Sequence, residues 1–210
     1  MIKILIADDH AVVREGLKQI ISETPDMRVT DEADNGQEVL NKVSEHHYDV
    51  VLLDITMPGR SGLDILKQLK SKKPKLPVLM LSVHPEEQYA VRTLKAGASG
   101  YLTKGSATDE LIAAIRKISI GKKYVSSSLA EKLAFDLDLD YEKPRHEILS
   151  DREYQVMSMI ASGKTVKEIA DELSLSVQTI STYRSRILEK MKLKNNAEII
   201  YYAVKQGLVE

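Results

Sequence analysis

Five polar residues in the first half of the chain each follow a short apolar run. Asp8 and Asp9 follow Ile2 to Ala7, Asp54 follows Val50 to Leu53, Ser82 follows Val78 to Leu81, and Lys104 follows Tyr101-Leu102-Thr103. Three carboxylates brought together repel, and they raise one another's pKa unless a cation neutralises them. An all-oxygen acidic site suits a hard divalent ion, foremost Mg²⁺, which keeps several waters and binds phosphate oxygens. A carboxylate beside such an ion can attack a phosphoryl group and form an acyl phosphate. The Lys104 ammonium and the Ser82 hydroxyl could then hold the oxygens of the new dianion. Taken singly, each of these residues could equally be a cap, a turn residue or a solvated charge. The chemistry depends on a fold that brings them together.

The elements that would do so are readable in order. Ile2 to Ala7 has the continuous apolar character of a strand buried on both faces. A helix is predicted from about His10 to Glu23, carrying Val12, Val13, Leu17, Ile20 and Ile21 at helical spacing. A second strand spans Arg28 to Ala33, and Asn35-Gly36 turns into a helix with Val39, Leu40 and Val43 on one face. The Asp54 strand is broken by Met57-Pro58-Gly59, and the next helix starts at Gly62 with Leu63, Ile65, Leu66 and Leu69. Val78 to Ser82 is a fourth strand, and Pro85 fits the first turn of the helix after it. Tyr101 to Thr103 is a fifth strand, and Leu111 to Ile118 a last amphipathic helix. Strands alternating with helices in this way predict an α/β domain, a five-stranded parallel sheet covered on both faces. Right-handed crossovers make it a doubly wound, flavodoxin-like sheet of order 2-1-3-4-5. In that arrangement Asp8, Asp9, Asp54, Ser82 and Lys104 converge at the carboxyl edge.

Composition sets the outer limits. The chain has 210 residues, no cysteine and a formal net charge of -1. Disulfides and thiolate zinc sites are excluded, and any nucleic-acid signal has to be local. The amino-terminal apolar run is too short and too soon acidic for a signal peptide, and no stretch has the length of a membrane span. A cytoplasmic location is the expectation.

With these residues in view, positions 1–118 resemble the receiver domain of two-component response regulators. The match rests on Asp8-Asp9, on Asp54 ahead of Met57-Pro58-Gly59, on Ser82, and on Lys104 after Gly100-Tyr101-Leu102. The resemblance implies that a histidine kinase phosphorylates Asp54, and that Asp8, Asp9, Asp54 and the Thr56 carbonyl hold Mg²⁺. It further implies that Ser82 and Tyr101 report phosphorylation, the hydroxyl moving toward the phosphate and the ring following. Two positions depart from the pattern. Gly105 replaces the proline that many receivers carry after the lysine, so no cis peptide is expected there. Val83 stands where a smaller residue is common, which would slow small phosphodonors.

Residues 119–147 read as a linker. Leu129, Leu133 and Phe135 have the spacing of one short helix, and Asp136-Leu137-Asp138-Leu139-Asp140 fits either a strand or an exposed acidic tether. Pro144 closes it. Beyond it, Ser150-Asp151-Arg152-Glu153 and Thr165-Val166-Lys167-Glu168 are capping boxes. The first helix buries Val156, Met157, Ile160 and Ala161 and stops at Gly163, and the second carries Ile169, Ala170 and Leu173. Ser176 caps a third helix running to about Met191, whose expected inner face is Val177, Ile180, Ile187, Leu188 and Met191. A fourth opens at Asn195-Asn196 and closes at Gly207. This all-α, four-helix unit, 148–210, contains a helix-turn-helix. Its third helix carries Gln178, Ser181, Thr182, Arg184, Ser185 and Arg186 on the outer side, residue types suited to a major groove. Segment 176–194 holds five cations against one acid, a local excess within a nearly balanced unit.

The run Leu149-Ser150-Asp151-Arg152-Glu153, then Gly163 to Ala170, then Ser176-Val177-Gln178-Thr179-Ile180 resembles the LuxR-type DNA-binding domain. The whole chain is thus similar to the NarL/FixJ response regulators. The resemblance implies a DNA-facing set of Lys167, Gln178, Thr179, Ser181, Thr182, Arg184, Ser185 and Arg186. It implies homodimerisation on DNA through the fourth helix, with Ile200, Tyr201 and Val204, and RNA polymerase as a further partner. Ser181 stands where members often carry lysine, so base preference does not transfer. Two other classes stay open from sequence: a four-helix unit that binds a protein, and an Mg²⁺-dependent phosphatase or other enzyme on the sheet. Salt-sensitive duplex binding would separate the first from DNA recognition, and turnover of an external ester would reveal the second.

Overall fold

The computed structural model describes residues 1–57, 60–84, 86–126, 129–130 and 144–209. Two compact units divide the chain, Met1–Leu133 and Ala134–Glu210. In the first, strands β1 (Ile2–Ala7), β2 (Met27–Ala33), β3 (Val50–Asp54), β4 (Val78–Ser82) and β5 (Gly100–Thr103) alternate with helices. The helices are α1 (Ala11–Ser22), α2 (Gly36–Glu45), α3 (Gly62–Lys72), α4 (Glu86–Lys95) and α5 (Thr108–Ser119). All pairings are parallel, in the order β2-β1-β3-β4-β5. The expected topology is the one observed.

The packing follows the two-residue period of the strands. Ile4, Ile6, Val50, Leu52, Leu79 and Leu81 meet Ile21 of α1 and Leu111, Ala114, Ile115 and Ile118 of α5 on one face. The alternate residues Leu5, Val51, Leu53 and Met80 are equally buried, under the helices of the other face. A strand hidden on both sides tolerates no polar residue until it ends. This is why Asp8, Asp54 and Lys104 can stand only where they do, at the mouth of the sheet. Register aligns the ends: Ala7 lies beside Leu53, Asp54 beside Leu81, and Ser82 beside Thr103. Local signals agree, with Asn35 capping α2 and Ser61 capping α3 by accepting the backbone N–H three residues on.

One glycine carries a tertiary requirement. The start of α3 presses on the end of β3, and Gly62 donates its N–H to the Ile55 carbonyl at 2.8 Å. A Cβ there would lie 1.9 Å from the Asp54 carbonyl oxygen. The Asp54 strand and the helix after it can be this close only with hydrogen at that position.

The described residues just after α5 pack against the first unit. Lys123 donates to the Ala98 carbonyl, Tyr124 N–H bonds the Ser99 carbonyl at 2.8 Å, and Tyr124 forms a parallel bridge to Gly100 at the β5 edge. The Tyr124 hydroxyl reaches Glu110 at 2.9 Å, Ser126 reaches Glu86 at 2.5 Å, and Leu129 is buried. The expectations for Leu133, Phe135 and the acid–leucine alternation fall outside the described residues, as do those for Pro58, Gly59 and Pro85.

Among the described residues of the second unit the first element is a 3₁₀ turn, Arg145–Ile148, held by His146, whose Nδ1 lies 3.0 Å from the Tyr202 hydroxyl. Four helices follow: α6 (Asp151–Ala161), α7 (Val166–Glu172), α8 (Val177–Met191) and α9 (Asn196–Lys205). Both capping boxes form, at Ser150/Glu153 and Thr165/Glu168, and Ser176 and Asn195 cap α8 and α9. Ile169, Leu173, Ile180, Ile187, Met191, Ile199 and Ala203 make the core. Val177 departs from the expected inner face and is 51% exposed. It is the first residue after the cap, where α8 has not yet reached the core.

Two glycine substitutions should separate contact from flexibility. Gly62→Ala should cost about 2 kcal/mol or more of unfolding free energy in urea, by displacing backbone beside Asp54. Gly16→Ala, in an exposed helical position with nothing within 4 Å, should gain up to about 1 kcal/mol. Equal effects would refute the packing argument.

Candidate functional site

The carboxyl edge of the sheet assembles the residues that the sequence pointed to. Asp8 follows β1, Asp54 ends β3, Ser82 ends β4, and Lys104 follows β5. Asp8 and Ser82 have no exposed surface and Asp54 has 1%. The Lys104 ammonium lies 2.7 Å from Asp8 Oδ2 and 3.1 Å from Asp54 Oδ2, and the Lys104 backbone N–H donates to the Ser82 carbonyl at 2.7 Å. One cation therefore serves two buried carboxylates, with Asp9 close by at the rim. Burial, reinforced by Asp8 and opposed by Lys104, pushes the Asp54 carboxyl up to about 6. Burial pulls the Lys104 ammonium down, but Asp54 and Asp8 outweigh it and its pKa rises. Repulsion between the carboxylates contributes less to the rise at Asp54 than desolvation does.

His10 belongs to this cluster, and sequence reasoning treated it only as the start of α1. Its Nδ1 stands 2.9 Å from Asp9 Oδ1 and 3.3 Å from Asp8 Oδ1. Ligand atoms of Asp8, Asp9, His10 and Asp54 all lie within 4.8 Å of one another. Adjacency to Asp8-Asp9 was the available signal. Thr56 is half-buried, and its hydroxyl has no hydrogen-bond partner among the described residues.

Ser82 and Tyr101 meet at one backbone unit. The Ser82 Oγ accepts the His84 N–H at 3.0 Å, and the buried Tyr101 hydroxyl donates to the His84 carbonyl at 2.8 Å. Val83, between them in sequence, is 70% exposed.

In the second unit, Gln178, Thr179, Thr182, Tyr183 and Arg186 line an open surface groove along α8. Gln178, Thr182, Ser185 and Arg186 are exposed, Thr179 and Ser181 half-buried, and Lys167 of α7 is exposed. Tyr183 was missed, although it lies one turn after Thr179. Arg184 is the correction. It is half-buried, one turn after the core residue Ile180, and its Nε donates to Asn196 Oδ1 at 2.6 Å. The expectation of an outward Arg184 gives way to a contact that holds α9 against α8. Ile200, Tyr201 and Val204 are exposed on α9, at 37%, 70% and 52%.

Residues 4–116 match the response regulator receiver domain family, and residues 147–203 match the luxR family of bacterial regulatory proteins. The chain is a response regulator. It is 37% identical over 211 residues to response regulator GacA of Pseudomonas syringae pv. syringae, covering 100% of this chain and 99% of that protein. It is 35% identical over 210 residues to response regulator UvrY of Escherichia coli, covering 99% and 96%. A solved structure of RcsB from Salmonella enterica serovar Typhimurium, bound to promoter rprA with the phosphomimetic BeF₃⁻, has the same fold. Its TM-score is 0.66 at 24% identity, over 97% of this chain and 99% of that one. This response regulator belongs to the NarL/FixJ class, and its work is phosphorylation-controlled regulation of transcription. Among the described residues, no helix is long and apolar enough to cross a membrane.

The uncompensated charge has a measurable cost. A carboxyl whose folded-state pKa is raised favours folding below its ordinary pKa, and that contribution is lost as pH rises through about 6. In a chelating buffer, Asp54→Asn should therefore stabilise the first unit by roughly 3 kcal/mol at pH 8. The gain should shrink steadily toward pH 4. Denaturant melts across that range check it, and a pH-independent difference would contradict it.

Proposed function

We propose that Asp54 is the phosphoacceptor and that its phosphorylation controls DNA binding by the second unit. The observation that carries this is a buried Asp54 held 3.1 Å from Lys104, on the same chain as a fully capped helix-turn-helix. In this reading residues 1–118 are the receiver, 119–147 the linker and 148–210 the DNA-binding domain. A histidine kinase supplies the phosphoryl group. An Asp54 oxygen attacks phosphorus as the bond to the phosphohistidine nitrogen breaks, and the imidazole leaves neutral or protonated. Lys104 and the Ser82 hydroxyl hold the phosphoryl oxygens, and Ser82 has its own proton to give because it now accepts from His84. The chain accepts a phosphoryl group and turns over no external substrate.

The donor set fits Mg²⁺. Asp8 Oδ2 and Asp54 Oδ2 are buried with no cation but Lys104 among the described residues. Asp8, Asp9, Asp54 and the Thr56 carbonyl would hold the ion. When bound, it neutralises the carboxylates and screens the incoming phosphoryl charge. Tyr101 then follows Ser82 through their shared partner, His84.

Gln178, Thr179, Ser181, Thr182, Ser185 and Arg186, with Lys167 from α7, face the duplex. Arg184 supports them from the α9 side. Ile200, Tyr201 and Val204 pair two copies on DNA, and contact with RNA polymerase completes the output.

Duplex binding by the purified protein, with Mg²⁺ and with or without an acyl-phosphate donor, tests the switch. The donor should strengthen binding to a two-fold-repeated site in the wild type and leave Asp54→Asn unmoved. Retained donor dependence in that variant would sink the assignment. Arg186→Ala should weaken binding and lower the salt slope by about one, whereas Arg184→Ala should mainly lower the melting temperature of the helical unit. Salt-insensitive capture of a protein, with no duplex binding, would favour a protein-interaction module instead.

A further inference from the structure

We infer that Arg14 is a positioning residue for the phosphoacceptor site, bracing the peptide between Asp8 and Asp9 so that both carboxylates meet the cation. This role rests on Asp8, Asp9 and Asp54 forming the Mg²⁺ site proposed above. Arg14 stands in the first turn of α1. Its Nη1 donates to the Asp8 carbonyl at 2.8 Å, and its Nε to Glu32 Oε2 at 3.1 Å. One guanidinium thus ties the loop after β1 to the end of β2. Glu32 is held in turn by Lys18, one turn further along α1, whose Nζ lies 2.7 Å from Oε1. Lys18, followed by Arg14, keeps the Glu32 carboxyl below its ordinary pKa against the opposing effect of burial. The anchor of the brace is therefore charged at neutral pH.

Asp8 needs such a brace because it lies one residue past β1. Its N–H still bonds the Ala33 carbonyl of β2 at 3.1 Å, but its own carbonyl is taken by the Arg14 side chain. That carbonyl belongs to the planar peptide that joins Asp8 to Asp9, so fixing its plane fixes the direction in which both side chains leave the backbone. Without the brace, two repelling carboxylates are free to turn apart, and Mg²⁺, which demands near-ideal geometry, binds less well. A guanidinium suits the task because its N–H groups form a rigid fork, whereas an ammonium supplies the charge without the fork. The field of Arg14 acts in the opposite sense. A positive charge near the site repels a dication, and Glu32 offsets it. Position and charge therefore predict opposite effects of removing Arg14.

Isothermal titration of the full chain with Mg²⁺ tests this in wild type, Arg14→Gln, Arg14→Lys and Asp8→Asn. The rate of phosphorylation by an acyl-phosphate donor, followed against Mg²⁺ concentration, gives a second readout. Arg14→Gln should weaken Mg²⁺ binding on the order of tenfold. The Mg²⁺ concentration for half-maximal rate should rise by the same factor, with the rate at saturating Mg²⁺ within about twofold of wild type. A merely structural role would lower the fraction of chain that reacts and leave half-saturation where it was, which would overturn the inference. Arg14→Lys keeps the charge and should still bind Mg²⁺ several-fold more weakly than wild type. Unchanged or tighter Mg²⁺ binding in either Arg14 variant, with binding lost in Asp8→Asn, would show that Arg14 acts through its field or not at all. Unchanged binding in Asp8→Asn would instead overturn the cation site itself, and the role of Arg14 with it.

Discussion

The contact between Lys104 and the carboxylates of Asp8 and Asp54 sets the terms for the first unit. All three groups sit where parallel strands end, so none can retreat to water without pulling on backbone that pairs with its neighbours. Coulomb attraction in that setting is strong, but one ammonium neutralises only one carboxylate. The remainder is a standing negative charge in a poorly solvated mouth. Such a site responds to whatever positive charge or phosphoryl group arrives, because arrival relieves a cost already present in the folded chain. The close approach at Gly62, where a Cβ would meet the Asp54 carbonyl oxygen, fixes the backbone that carries one of the two carboxylates.

In the helical unit the same economy of charge decides which residues are free to act. Glu153 Oε2 closes the α6 capping box with Ser150 and also accepts from Lys190 of α8 at 2.6 Å. The start of one helix is thus tied to the far end of another. Arg184 is likewise occupied by Asn196. Two of the five cations in 176–194 therefore hold the unit together. Glu153 offsets the charge of Lys190, whereas the neutral amide of Asn196 leaves that of Arg184 in the field a phosphate backbone meets, beside the exposed Arg186, Lys192 and Lys194.

Much of this was legible in the sequence for a simple reason. Continuous apolar runs ended by an acid or a lysine fix both the strand and its mouth, and capping boxes mark helix starts by local chemistry alone. The misplaced residues are those whose environment depends on neighbours distant in sequence. Val177 has the right spacing for the core of α8 but precedes the point where that helix meets it. Arg184 looks like a surface cation until its one-turn distance from Ile180 is weighed. His10 and Tyr183 gain their places from neighbouring side chains, which residue type alone does not announce. The burial that dominates the Asp54 carboxyl is a tertiary property as well.

The bridge between Tyr124 and Gly100 bears on how the sheet ends. β5 is an edge strand, and an edge strand offers unpaired amides and carbonyls to any other extended chain. Here the segment after α5 meets the first residue of β5, where Tyr124 bridges Gly100, and just before the strand the Ser99 carbonyl is taken by Tyr124 and the Ala98 carbonyl by Lys123. The polypeptide after α5 thus guards the start of that edge. A fragment ending at Ile118 would lose this cover, whereas one that keeps Tyr124 would retain it at Gly100.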